Sequence, residues 1–263
     1  MKKIPIILIA LAFLAQPVFA KSTNKDYKLP DNAVQISDNV YSLGTTYDAQ
    51  SNSLVEGYAF VHKKDNAKSG GAKALKSPAC YGYLATGAKW KGAPEPWIFN
   101  PTNLNGLNTI TLFNTEAASI QTWENAANVN ILGEGTQTID TLTASTSKTD
   151  GKNVVYFGPI SNSNTIAVTI IWGIFSGPTQ NRKLVEWDQI FSTGYNWSNE
   201  INGVTGKMDF QNIATHELGH SVGMDDIYNS SCSAVTMYGY ANYGETNKRS
   251  LEQADITGIN NLY

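Results

Sequence analysis

The sequence predicts an α/β (α+β) fold in which a mixed, twisted sheet carries three helices, and three patterns point there. Ile110, Phe113, Ala117, Ile120, Trp123 and Ala127 recur at three- and four-residue spacing, the mark of a first long helix with one buried stripe. Apolar runs at 154–157, 165–172 and 184–191 follow, separated by turn residues such as Asp150-Gly151 and Ser176-Gly177-Pro178, and read as strands. Phe210, Ala214, Leu218 and Val222 then form an i, i+4 ridge behind Asp209, a good N-cap residue, so a second helix starts near 209 and buries that ridge against the sheet. Ile256, Ile259 and Leu262 give a closing C-terminal helix.

The elements before position 94 have a different character. Residues 1–20 read as a signal peptide: Lys2 and Lys3 supply the positive start, 4–14 is an almost unbroken apolar run, and Val18-Phe19-Ala20 suits cleavage. A bilayer span needs about 20 apolar residues, and this run is shorter. In 21–79, the stretches 40–44 and 54–62 read as two short strands around a polar turn, followed at 63–76 by a linker rich in Lys, Gly, Ala and Ser. That arrangement predicts a small N-terminal extension that is a propeptide with its linker, the alternative being an extension that stays attached. His62, inside it, is expected to be solvated. The main domain is then 80–263, with Pro96-Trp97-Ile98-Phe99 as its first strand, closed by Asn100-Pro101.

Charge narrows the partners. A net charge of −3 without clustered Lys and Arg argues against nucleic acid. An apolar content of 41% is too high for a disordered chain. Beyond the leader no run reaches membrane-spanning length, so the processed chain is expected in solution, outside the cell, and as a monomer. Its two cysteines, Cys80 and Cys232, are most simply a disulfide in an oxidising compartment.

The chemistry lies in Thr215-His216-Glu217-Leu218-Gly219-His220-Ser221-Val222-Gly223-Met224-Asp225-Asp226, which reads H-E-x-x-H-x-x-G-x-x-D. Helical residues four apart differ by about 40° around the axis, so His216 and His220 project together and can share one Zn²⁺. Glu217, roughly 100° further round, is placed to act on water at that ion instead of ligating it. Gly223 can take positive φ, end the helix and fold the chain back, bringing Asp226 to the third ligand position. Three protein ligands leave a fourth position open, as in catalytic zinc sites. The chain holds three histidines and two of them fall in this motif, which makes coincidence a poor explanation.

With the Gly turn and a later Met, the region 94–263 resembles the metzincins, and among them the matrixin-like proteases. The resemblance rests on 117–123 for the first helix, 213–225 for the active-site helix and turn, Val235-Thr236-Met237-Tyr238 for the Met-turn, and 251–259 for the closing helix. It implies a metzincin-type catalytic domain, with Met237 as an apolar floor under the histidines and Asp225 as a structural acid bonded to the turn. The departures are informative. Matrixins usually carry a third His where this chain has Asp226, as snapalysin-like proteases do. Val168 stands where a second, structural zinc would take a His. The propeptide Cys motif of the family is missing, and only Ser77-Pro78-Ala79-Cys80-Tyr81 is present, so Cys80 as a zinc-capping thiol stands as the rival of the disulfide. Calcium is compatible with such a domain, but no Asp-rich loop names its ligands.

The expected activity is a secreted zinc endopeptidase acting on proteins or peptides, with Glu217 as general base toward the zinc-bound water and then as proton donor to the leaving amine. The strand 165–170, with Ala167 and Val168, is the expected upper edge of the substrate cleft, where an extended peptide could add as a strand. A fully paired interior strand is the alternative reading of the same apolar run. Tyr238 and Tyr240 are candidates for the wall of a specificity pocket. Two other functions fit the motif less directly: a zinc-stabilised, non-cleaving binding or adhesion module, and a zinc hydrolase of cell-wall peptides.

Overall fold

The computed structural model describes residues 26–65 and 79–263. The leader at 1–20 and most of the 63–76 linker lie outside the described residues. In chain order the elements are β1 (Val34–Ser37), β2 (Val40–Asp48), β3 (Ser53–Lys64), β4 (Glu95–Asn100), α1 (Thr109–Ala127), β5 (Leu132–Gln137), β6 (Asn153–Gly158), β7 (Thr165–Ile174), β8 (Lys183–Ser192), β9 (Trp197–Ser198), β10 (Met208–Asp209), α2 (Phe210–Ser221), β11 (Tyr240–Ala241) and α3 (Gln253–Leu262).

One mixed sheet organises the chain, in the order β1-β2-β3-β7-β8-β6-β4-β5, with β11 beside β3 and a small β9/β10 pair apart from it. β4, β5, β6 and β8 run parallel to one another, and α1 supplies the crossover between β4 and β5 that parallel neighbours require. β7 is antiparallel to β8 on one side and to β3 on the other. The sheet therefore carries apolar side chains on both faces. Phe60, Ala167, Ile171 and Phe191 belong to the core on the helix side, while Ala59, Val61, Val168, Ile170 and Ile190 form a second cluster on the opposite face. Period-2 alternation along β3 and β7 produces this division.

The extension is thus built into the main sheet. β3 pairs with β7 from Glu56↔Gly173 to Lys63↔Thr165, and Tyr27 reaches further along the chain to bridge with Ile160. His62 is 2% exposed, which corrects the expectation of a solvated side chain. The reason is its even-numbered place on β3, which turns it with Phe60 toward α2.

Besides the two-residue strands β9, β10 and β11, two strands escape the sequence patterns. β5 reads Leu-Gly-Glu-Gly-Thr-Gln and has no apolar alternation; a Cβ on its Gly135 would come within 2.3 Å of Trp97, so the glycine makes room for that indole. β1 is exposed throughout and is held by pairing with β2 alone. The α1 stripe is also displaced from expectation. Ile110 is 63% exposed, whereas Leu112, Thr115, Glu116, Ser119, Ile120 and Trp123 face inward. Polar groups on α2 draw that face round: Thr215 Oγ1 donates to Ser119 Oγ at 3.1 Å, and Trp123 Nε1 donates to Thr215 O at 2.8 Å.

Candidate active site

α2 is fixed at both ends before it presents any chemistry. Asp209 caps it by accepting from Asn212 N at 2.9 Å, and Arg249 Nε donates to the same carboxylate oxygen at 2.8 Å. The ridge Phe210, Ala214, Leu218 and Val222 is fully buried, as its spacing predicts. At the far end Gly223 has φ +105, and a Cβ there would meet Ala88 O at 2.8 Å. Only glycine accommodates both that conformation and that approach. The chain then reverses, and Asp226 returns to face the helix.

The result brings together three expected ligands. Asp226 Oδ1 lies 3.3 Å from His216 Nε2 and 3.6 Å from His220 Nε2. The three donor atoms lie within 4.8 Å of one another, and all three residues are buried. Their other polar atoms are committed elsewhere: His216 Nδ1 donates to Thr236 O at 2.7 Å, His220 Nδ1 to Met224 O at 3.0 Å, and Tyr228 Oη donates to Asp226 Oδ2 at 2.8 Å. Those bonds fix the tautomers that leave each Nε2 lone pair aimed at the common point. His216 Nε2 and Asp226 Oδ1 have no hydrogen-bond partner although both are buried. Orphaned polar atoms of this kind need a partner, and two imidazoles with a carboxylate suit a zinc ion in a tetrahedral site with one position free.

Electrostatics support the same assignment. Burial lowers both histidines below their ordinary range, which keeps them neutral. Burial raises Glu217, a shift that suits a group which must accept and then return a proton. Asp225 is pushed up to about 7 by burial and by its neighbour Asp226. Its Oδ1 accepts from Asp226 N at 2.9 Å, so it touches the turn.

Met237 is fully buried beneath Gly219, close enough that a Cβ on that glycine would stand 2.1 Å from its Sδ. Asp255 on α3 fixes this turn by accepting from Thr236 N at 2.8 Å and from Met237 N at 3.3 Å. Lys248, which the sequence did not single out, is fully buried and donates to Tyr238 O and Tyr240 O at 2.6 Å each. It clamps the segment that carries both tyrosines, whose rings stand 5.8 Å apart and are partly exposed. Burial lowers its pKa to about 8.

Ala167 and Val168 stand on β7 beside this site but are fully buried, since β7 is paired along both edges. Thr169, two residues beyond Ala167 on the same strand, points to the helix and donates to Glu217 Oε2. The other oxygen, Oε1, lies 2.9 Å from His62 Nδ1. No sequence signal pointed to His62: it is far from the motif in sequence and lies on another strand. Cys80 and Cys232 form a disulfide, Cα–Cα 5.5 Å, and the described residues contain no free cysteine, so in this structure no Cys80 thiol is available to cap a metal.

Residues 111–263 match the family model of Matrixin, a peptidase family. A search of curated proteins returned no match.

Proposed function

The chain belongs to the matrixin family of zinc metalloendopeptidases, and from that premise we propose that it is a secreted endopeptidase whose working site is His216, His220, Asp226 and Glu217. The observation that carries the reading is the convergence of two orphaned donors, His216 Nε2 and Asp226 Oδ1, with His220 Nε2, while Glu217 stays outside the set. Zinc held there would polarise the scissile carbonyl and acidify a water.

The protein's own groups supply the rest. Glu217, raised by burial, takes a proton from the attacking water and hands it to the departing amine. Thr169 holds one of its oxygens, and the other, which His62 contacts in this structure, faces the reacting atoms once 21–79 is removed. The carbonyls of Thr236 and Met224 orient the imidazoles, and Met237 seals the floor. Residues 1–20 serve as the export signal and the 21–79 segment as a propeptide with its linker.

The test is cleavage of an unstructured protein such as casein by the chain after removal of 21–79. Hydrolysis that stops on chelation and returns with added zinc supports the reading. A protein that retains zinc in this form and cleaves nothing would be a binding module instead, and release of peptides from peptidoglycan but not from casein would mark a cell-wall hydrolase.

A further inference from the structure

We infer that β2–β3 is a built-in inhibitor of this site, with His62 as the residue that closes it; the inference rests on the functional reading above. β3 takes the whole outer edge of β7, the backbone edge that an extended peptide would need. On its other side β11 pairs with it in parallel, Tyr240↔Lys63 and Ala241↔Lys64. The strand is therefore gripped from both sides at the level of the metal ligands.

Its inward side chains cover the reactive groups one by one. The His62 ring lies 3.9 Å from the His216 ring, and Nδ1 is 2.9 Å from Glu217 Oε1. The Phe60 ring stacks on His220 at 4.3 Å. His62 Nε2 is buried without a hydrogen-bond partner, an arrangement that costs stability unless the side chain meets a further group at the site. His216, Glu217 and His220 are left with essentially no exposure, so an incoming peptide finds neither the β7 edge nor the general base free.

The covalent layout lets the inhibitor leave. The disulfide joins Cys80 to Cys232, on the C-terminal side of the 66–78 segment. A cut in 66–78 leaves 26–65 held by strand pairing and packing alone, while the new N-terminus stays tethered beside the site. His62 thus does without metal-capping thiol chemistry what a capping cysteine would do, and the cysteines are free to form a structural bond.

The test uses the full zinc-loaded chain with a specific protease sequence placed in 66–78, compared before and after cutting and separation. Three readouts apply: binding of acetohydroxamate by calorimetry, release of the 26–65 fragment by native size exclusion, and peptide hydrolysis. The intact chain should bind no acetohydroxamate and hydrolyse at least about 100-fold more slowly than the cut, separated form, the scale expected when a general base is blocked. His62→Ala in the uncut chain should admit acetohydroxamate with the elution volume unchanged, and His62→Asn covers the case in which the smaller residue fails to fold. Equal chelator binding by intact and cut chains overturns the inference and leaves the peptidase reading standing. So does a 26–65 fragment that separates only when the remainder unfolds, because the strand is then a permanent part of the domain. If the separated form binds acetohydroxamate but cleaves no peptide, the occlusion holds and the peptidase reading fails.

Discussion

His62 Nδ1 stands 2.9 Å from Glu217 Oε1, a contact between two fully buried side chains from a strand and a helix that are 155 residues apart. It joins the N-terminal extension to the group proposed as the general base, so the site and the segment that covers it are one packing unit.

The ligand set predicts different consequences for two adjacent carboxylates. Asp226→Ala should lower zinc affinity by at least about 100-fold, since even outer-shell partners are worth 10–100-fold. Asp225→Ala should leave affinity within about tenfold and mainly lower the melting temperature, because Asp225 bonds the turn. Competition against a chromophoric chelator measures both, and the reverse ranking would move the third ligand by one position.

Gly219→Ala should be poorly tolerated for a helix interior, where alanine is ordinarily the better residue. The added methyl would sit 2.1 Å from Met237 Sδ and 2.8 Å from Trp123. Overpacking of this kind costs about 1–3 kcal/mol, or roughly 2–4 °C per kcal/mol of melting temperature for a domain of this size. A melting temperature equal to or above that of the parent would show that Met237 does not press on the helix.

Glu116 predicts a pH dependence. It is fully buried, neither carboxylate oxygen has a hydrogen-bond partner, and burial with the nearby Glu217 raises its pKa to about 8. In the unfolded chain it titrates near 4.5. The folded state therefore holds the extra proton between those values, and this contribution to stability is complete below pH 4.5 and is lost as pH rises through 8. Glu116→Gln should flatten the decline of melting temperature across that window and raise stability at its upper end. An unchanged slope from pH 5 to 8 would mean that Glu116 ionises without penalty in the folded protein.

These residues also show what could be read from the chain beforehand. The ligand pair, Glu217 and the Gly223 turn were legible because they lie within one helix and its reversal, where spacing dictates direction. The α2 ridge was legible from its i, i+4 spacing, and the strands β4, β6, β7 and β8 from short apolar runs bounded by turn residues, which are likewise local signals. Glu116 was not, because a carboxylate on a helix reads as solvent-facing until the polar face of α2 turns it inward. β5 was hidden by its glycines, which serve Trp97 and not a hydrophobic pattern. His62 was out of reach because nothing local to β3 states which strand it will pair with. Only the register His62↔Ala167 brings it to Glu217.

The central claim is that Glu217 is the acid–base group of a zinc site built by His216, His220 and Asp226. The most direct measurement is zinc content together with casein hydrolysis for Glu217→Ala, in the form freed of residues 21–79. One zinc per chain, with hydrolysis reduced by about 10²–10⁴-fold or more, is the expected result. Cleavage at the parent rate with zinc retained would contradict the account, because proton transfer would then not depend on Glu217.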